Sequence, residues 1–150
     1  MASFAASATI PVAGIDTRNK DRDDHLRSPD FFDAEKYPEI KFNVTRVDVN
    51  GGDPVLYGDL TMKGITKEIQ LPVFVSGPVK DMAGNMRAGF EGATRINRQD
   101  WGVSWSKTLD GGGLVVDDFV RITVNIEGVK AEGSADEAIA AEDAAEAAQE

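Results

Sequence analysis

The residue with the most chemistry to offer is His25, the single histidine of the chain, set in the run Asp23-Asp24-His25-Leu26-Arg27-Ser28. A general base needs a nucleophile within reach and a third group that orients it. Asp24 and Ser28 are near in sequence, but their order matches no Ser-His-Asp arrangement. The plainer reading is a structural histidine linking a small helical cap to the rim of the fold. Asp21, Asp23 and Asp24 raise the question of calcium. A calcium loop wants acids at alternate positions, Gly at the sixth and Glu at the twelfth. Counted from Asp21, Leu26 stands in the glycine place, so no metal is expected. One histidine also rules out a multi-histidine metal site. There is no cysteine, so disulfides, thiolate metal sites and a thiol nucleophile are excluded. Asp117-Asp118 reads as a solvated pair at a turn or strand edge, and no two-carboxylate hydrolase site can be argued. Asp110-Gly-Gly-Gly and the glycines Gly84, Gly89 and Gly92 lack a following Gly-Lys-Ser and an opening helix. They read as turn and bulge glycines, not as a phosphate loop.

The elements that must hold these residues are mostly strands, because apolar residues recur with a period of two. Ile40, Phe42 and Val44 alternate with polar neighbours in a strand over 39–49. Leu56, Gly58, Leu60 and Met62 form a second series, and Ile69, Leu71, Val73 and Val75 a third. Ala88 and Phe90 lead through Gly92 and Thr94 to Ile96. Val120, Ile122, Val124 and Ile126 make the last. Residues 7–15 read as a strand in mid-sheet. Turn signals separate the runs: Asn50-Gly-Gly-Asp, Lys63-Gly-Ile-Thr, Ser76-Gly-Pro, Asp81-Met-Ala-Gly-Asn and Asp110-Gly-Gly-Gly. Short Gly-rich turns imply antiparallel connections and an all-β barrel or sandwich. The length of the strands favours a barrel.

Two segments break the alternation. Asn19 to Arg27 is charged and compact, with Asp23 and Arg27 at i, i+4. Ser28-Pro29-Asp30 then reads as N-cap, Pro at N1 and an acid in the first turn. A short helix, a tight turn and a second short helix carrying Phe31 and Phe32 are predicted. This helical insertion, near residues 19–33, would cap one end of the barrel.

Charge divides the chain. The net charge is −10. Residues 130–150 carry seven acids (Glu132, Asp136, Glu137, Glu142, Asp143, Glu146, Glu150) against one base, Lys130, and account for −6 of it. Residues 1–129 are therefore read as one barrel domain and 130–150 as an acidic, Ala-rich tail. Ser134-Ala-Asp-Glu137 looks like a capping box, but no apolar stripe follows it. A nascent helix or a disordered solvating tail is expected. The acidic balance argues against nucleic acid and against an anionic membrane surface as partners. The chain start has no basic n-region and no apolar h-region of a signal peptide, and no apolar run suits a transmembrane helix.

Several blocks resemble one family. Ile15-Asp-Thr is followed by Arg22-Asp-Asp-His-Leu-Arg-Ser-Pro-Asp-Phe-Phe-Asp33 and Tyr37-Pro38. Then come Gly58-Asp-Leu-Thr-Met-Lys-Gly-Ile-Thr-Lys67, Arg87-Ala-Gly-Phe90, Ile96-Asn-Arg-Gln-Asp-Trp-Gly102 and the closing strand 122–129. In this order, over roughly 5–129, they resemble the YceI family of lipid-binding, lipocalin-like barrels. The resemblance implies an extended eight-stranded antiparallel barrel. It also implies an apolar tunnel for a long isoprenoid or acyl chain, with no metal, no cofactor and no assigned catalysis. The family's opening hairpin, with its Asp-Pro-x-His-Ser-like and Val-x-His-Leu-like motifs, has no counterpart here. The barrel is therefore expected to be incomplete, with an open edge that invites a homodimer. Location is expected to be cytoplasmic as the sequence stands, and periplasmic or secreted if the true start lies upstream.

The expected function is to bind and shield a polyisoprenoid, fatty acid or derivative in the barrel interior, for storage or transport. The expected lining is Phe31, Phe32, Ile40, Phe42, Leu60, Met62, Phe90, Ile96, Trp101, Trp105, Val120 and Ile122. His25 and Arg27 are head-group candidates at the tunnel mouth, since an Arg fork matches phosphate or carboxylate. One rival reading is an enzyme on a lipidic substrate with His25 and Asp24 as acid and base. Another is a stress-related interaction protein whose barrel is filled by its own side chains.

Overall fold

A computed structural model describes residues 5–131, and the nascent helix or disordered tail expected from 132 onward lies outside the described residues. Six strands form one sheet in chain order. They are β1 (Ser7–Pro11), β2 (Glu39–Asp48), β3 (Val55–Met62), β4 (Ile65–Lys80), β5 (Met86–Asn97) and β6 (Phe119–Val129). The fold class is mostly β, with antiparallel strands and, among the described residues, one short α-helix. The described residues divide into two compact units, 5–74 with 91–124, and 75–90 with 125–131. In the described residues six strands stand where the resemblance implied eight.

Registers follow the alternation. Phe42 pairs with Leu60 and Val44 with Gly58, before a bulge between Val44 and Arg46 shifts the ladder. Gly58 is required there. A Cβ at this position would lie 2.6 Å from the Asn43 carbonyl oxygen and 2.6 Å from the Phe42 ring. The β3–β4 turn is the two-residue hairpin that Lys63-Gly64 announces. Met62 pairs with Ile65, and both central residues have positive φ, +48° and +75°, as a primed turn demands.

Helix α1 (Lys20–Arg27) forms as its residues predict. Asn19 caps it, its side chain accepting from the Arg22 amide at 3.0 Å. Asp21 and Asp23 stand in the first turn, where acids complement the helix dipole.

The expected second helix is absent from these residues, because the sequence Ser28-Pro29-Asp30 plays the opposite part. Ser28 is the C-cap of α1, and its hydroxyl donates to the His25 carbonyl at 2.6 Å. The amides of Phe31, Phe32, Asp33 and Ala34 turn back to carbonyls of Ser28, Leu26, Ser28 and Arg27. Asp33, at φ +50°, stops any new helical run.

Two further expectations are corrected. The strand expected over 7–15 ends at Pro11, and Val12–Gly14 form a 3₁₀ turn. Val12 is buried, and its amide donates to the Pro38 carbonyl at 2.9 Å rather than into the sheet. Ser76-Gly-Pro78 is not a turn, because β4 runs straight through it. Gly77 takes φ +93° inside the strand, where a Cβ would sit 2.9 Å from the Arg87 carbonyl oxygen.

Candidate functional site

The site is an apolar interior with a polar cap. In the first unit the inward side chains of the sheet converge with those of the cap and of the chain after β5. Phe31, Leu60, Met62, Ile96, Trp101 and Val103 are buried together. Leu26, Phe32, Ile40, Phe42, Ile69, Trp105, Val116 and Ile122 pack against them half-buried. Ten of the twelve residues expected to line the interior therefore share one cluster. Phe90 and Val120 are not among its members. Phe90 lies in the second unit, with its ring edge 3.8 Å from where Gly128 would carry a Cβ. Val120 is half-exposed on β6.

Local chemistry fixes the wall. Trp101 sits on the 3₁₀ turn Arg98–Trp101, which Asn97 caps and Gly102 ends in a left-handed conformation. Its indole N–H donates to the Leu60 carbonyl at 2.9 Å, so the largest side chain enters the interior with its polar atom satisfied. Gly92, on the same sheet, leaves room for Val73 and Leu71, whose side chains lie 3.0 and 3.1 Å from the Cβ position.

The cap closes on aromatic edges. The His25 ring meets Trp105 at 4.7 Å and Phe31 at 5.0 Å, both edge-on, and Phe31 lies 5.3 Å from Trp105. His25 Nε2 is 2.9 Å from Asp30 Oδ2. This corrects the acid–base pair of the rival enzyme reading. Asp24 instead engages Lys20 at 2.6 Å and Arg27 at 3.5 Å. Ser28 is committed to a main-chain carbonyl. The arrangement fits the structural histidine that links cap and rim. Arg27, the other head-group candidate, donates from Nη2 to the Ile15 carbonyl. Its Nε is buried without a partner among the described residues.

Asp23 is buried and accepts from the Thr17 hydroxyl at 2.5 Å and the Thr17 amide at 2.8 Å. The hydroxyl bond, more than any other influence, holds its carboxyl below the usual range. In the second unit, Arg87 donates to Asp81 at 2.7 Å and to Glu127 at 2.5 Å. That bond from Arg87, helped by the Asn85 amide, lowers Asp81 to about 2. The same two carboxylates raise Arg87.

Two residues matter that the reading from sequence did not single out. Arg98 is buried at 3% exposure. Its guanidinium donates to the carbonyls of Val103, Trp105 and Asp117 at 2.6, 2.8 and 2.8 Å, and meets Asp118 at 3.3 Å. Lys63 reaches from the β3–β4 turn to the carbonyls of Pro29 and Gly102, at 3.0 and 3.3 Å. Both lie inside blocks that the resemblance rests on, which is the one signal that could have found them. A basic side chain serving carbonyls leaves no pattern of spacing.

Antiparallel strands whose apolar side chains gather in one cluster beneath a short helix define the class, that of mostly-β folds. The chain belongs to the YceI-like domain family, whose family model matches residues 1–128. It is 45% identical over 95 residues to a UPF0312 protein of Photorhabdus laumondii, covering 63% of this chain and 50% of that one. It is 36% identical to protein YceI of Escherichia coli over 129 residues, 86% of this chain and 64% of that one. Among solved structures, the Campylobacter jejuni YceI protein superposes with a TM-score of 0.76 at 27% identity. That match covers 86% of this chain and 74% of the other. BcnA of Burkholderia cenocepacia matches with a TM-score of 0.70 at 27% identity, over 83% and 74% of the two chains. The chain thus spans half to just under two-thirds of the first curated relatives it matches.

Proposed function

We propose that the protein binds and shields a long apolar chain, a polyisoprenoid, a fatty acid or a derivative, for storage or transport. The observation that carries this reading is the continuous apolar cluster that joins the inner strand faces to the aromatic cap. Ile40, Phe42, Leu60, Met62, Ile96 and Ile122 supply the strand wall, Trp101 the side, and Phe31, Phe32 and Trp105 the mouth. Binding is passive. Each buried CH₂ contributes about 0.8 kcal/mol, so chain length supplies most of the affinity and the head group little. His25, whose ring touches Phe31 and Trp105, and Arg27 are the candidate contacts for an anionic head, and the partnerless Nε of Arg27 favours an acceptor there.

Lipid extraction and native mass spectrometry of the purified protein test the reading. A co-purifying isoprenoid or fatty acid in stoichiometric amount is expected. A protein that carries no lipid and refuses every chain offered would overturn it and favour a self-filled interior. β1 and β6 are the edges of the described sheet, and such edges accept a further strand. We propose a second copy as that strand's source, and light scattering across concentration reads it. A concentration-independent monomer overturns the homodimer.

A further inference from the structure

We infer that Asn50 is a modification site, at which the Gly51 amide converts the asparagine through a cyclic imide to aspartate or isoaspartate, and that Asp48 restrains the conversion.

Asn50, Gly51 and Gly52 form the exposed tip between β2 and β3. The pairing of those strands ends at Asp48 with Val55, so no ladder bond fixes the tip. The reaction needs a main-chain nitrogen to reach the side-chain carbonyl carbon of the residue before it. Two properties of Gly51 permit that approach. It has no Cβ to crowd its own nitrogen, and its amide donates no main-chain hydrogen bond among the described residues. Gly51 is not required there for shape. Unlike Gly52, at φ +112°, it does not take the left-handed conformation, and a Cβ added to it would meet nothing within 4 Å.

The other five asparagines lack this setting, since each precedes a residue with a side chain. Asn43 and Asn125 lie within strands, and Asn19 and Asn97 cap helical turns with their side chains. Asn85 is bound to Asp81 through its main-chain amide and its side chain.

Water is the only co-reactant. Solvent hydroxide takes the Gly51 amide proton, and the nitrogen bonds to Cγ of Asn50. The Cγ–Nδ2 bond breaks, and ammonia leaves with a proton from water. Water then opens the imide. Opening at Cγ gives aspartate, and opening at the main-chain carbon gives isoaspartate, linked through Cγ. Asp48 opposes the first stage in two ways. Its Oδ1 accepts from the main-chain amide and from Nδ2 of Asn50, both at 2.9 Å, so the side chain must break a bond before it turns to Gly51. Its negative charge also disfavours an anionic nitrogen close by.

Ageing of the full chain in mildly alkaline buffer, with tryptic mass spectrometry against an unaged sample, tests the proposal. Peptide 47–63 holds Asn50 as its only asparagine and contains no glutamine. It is expected to gain the mass of an amide-to-acid exchange before any other peptide does, and an isoaspartate-specific methyltransferase to label it. Gly51→Ala, for which there is open space, is expected to slow the gain several-fold, and Asp48→Ala to quicken it several-fold. Asn50→Gln, whose longer side chain closes a ring less readily, is expected to abolish the gain, and it serves if the alanine variant fails to fold. A gain at Asn50 no faster than at Asn43 or Asn125 overturns the site. So does a gain unchanged by Gly51→Ala in a chain whose circular dichroism matches wild type. A rate unchanged or lowered in Asp48→Ala overturns the restraint.

Discussion

Replacing Arg98 by methionine probes the strongest non-sequence-local constraint in the first unit. Methionine fills similar volume in a site only 3% exposed, so little cavity forms. What is lost is the polar network. The bond to the Val103 carbonyl is itself buried, whereas those to Trp105 and Asp117 are part-buried. Stranding a buried carbonyl costs about 1–3 kcal/mol, and each bond that water can replace about 0.5–1.5 kcal/mol. The Asp118 pair adds about 0–1 kcal/mol, since its carboxylate is 42% exposed. Release of a guanidinium from burial works in the opposite direction. The balance is a destabilisation of about 3 kcal/mol, from the bonded terms less the desolvation regained. For a chain of this size that lowers Tm by roughly 6–12 °C. Urea unfolding should show a lower midpoint with an unchanged slope. Amide exchange should quicken at Val103, whose N–H donates to the Arg98 carbonyl, before it quickens in β3. A loss below about 1 kcal/mol would refute the argument, because the carbonyls would then have water or other donors in place of the guanidinium.

Gly58→Ala should destabilise by about 2–3 kcal/mol by chemical denaturation, since the new methyl meets a backbone oxygen that cannot move aside as well as the Phe42 ring. A carboxyl whose pKa is lowered by folding contributes stability that is full above its unfolded value. That stability is lost as pH falls through the folded value, so Asp81 should stabilise the protein above about pH 4 and lose this contribution toward about 2. Asp81→Asn should flatten the acid-unfolding profile in that window, and a profile identical to wild type would count against the Arg87 pairing. Phe31→Ala, at a buried position, should cost about 3–5 kcal/mol and release bound lipid. Trp105→Ala, half-buried, should cost less stability and weaken lipid retention, measured by native mass spectrometry. A ligand retained unchanged in both variants would move the mouth elsewhere.

Much of this was legible locally. Alternation identified the inward residues of β2, β3 and β5 because a strand's side-chain period is two and one face is dry. The Lys63-Gly64 hairpin and the Asn19-capped helix were legible because their hydrogen bonds close within a few residues. Other features were not. Ser28-Pro29-Asp30 carries the signature of a helix start, yet it ends a helix, since the α1 carbonyls were there to receive the following amides. Ser76-Gly-Pro78 carries the signature of a turn, yet the sheet holds it extended. His25 has Asp24 beside it in sequence, but a helix sends adjacent side chains in different directions, and the turn brings Asp30 instead.

The sequence by itself determined most of the strand pattern, the first helix of the cap and an apolar cluster, because each follows from a local period or a local bond. Only the tertiary structure decided that Arg98 would gather carbonyls from both limbs of a loop some twenty residues long, and that Trp101 would spend its indole N–H on Leu60. Nor could the sequence separate Phe90 and Val120 from the cluster that their alternation had promised them. Those outcomes depend on which groups distant segments leave unpaired once the chain has folded, and no spacing along the chain encodes that.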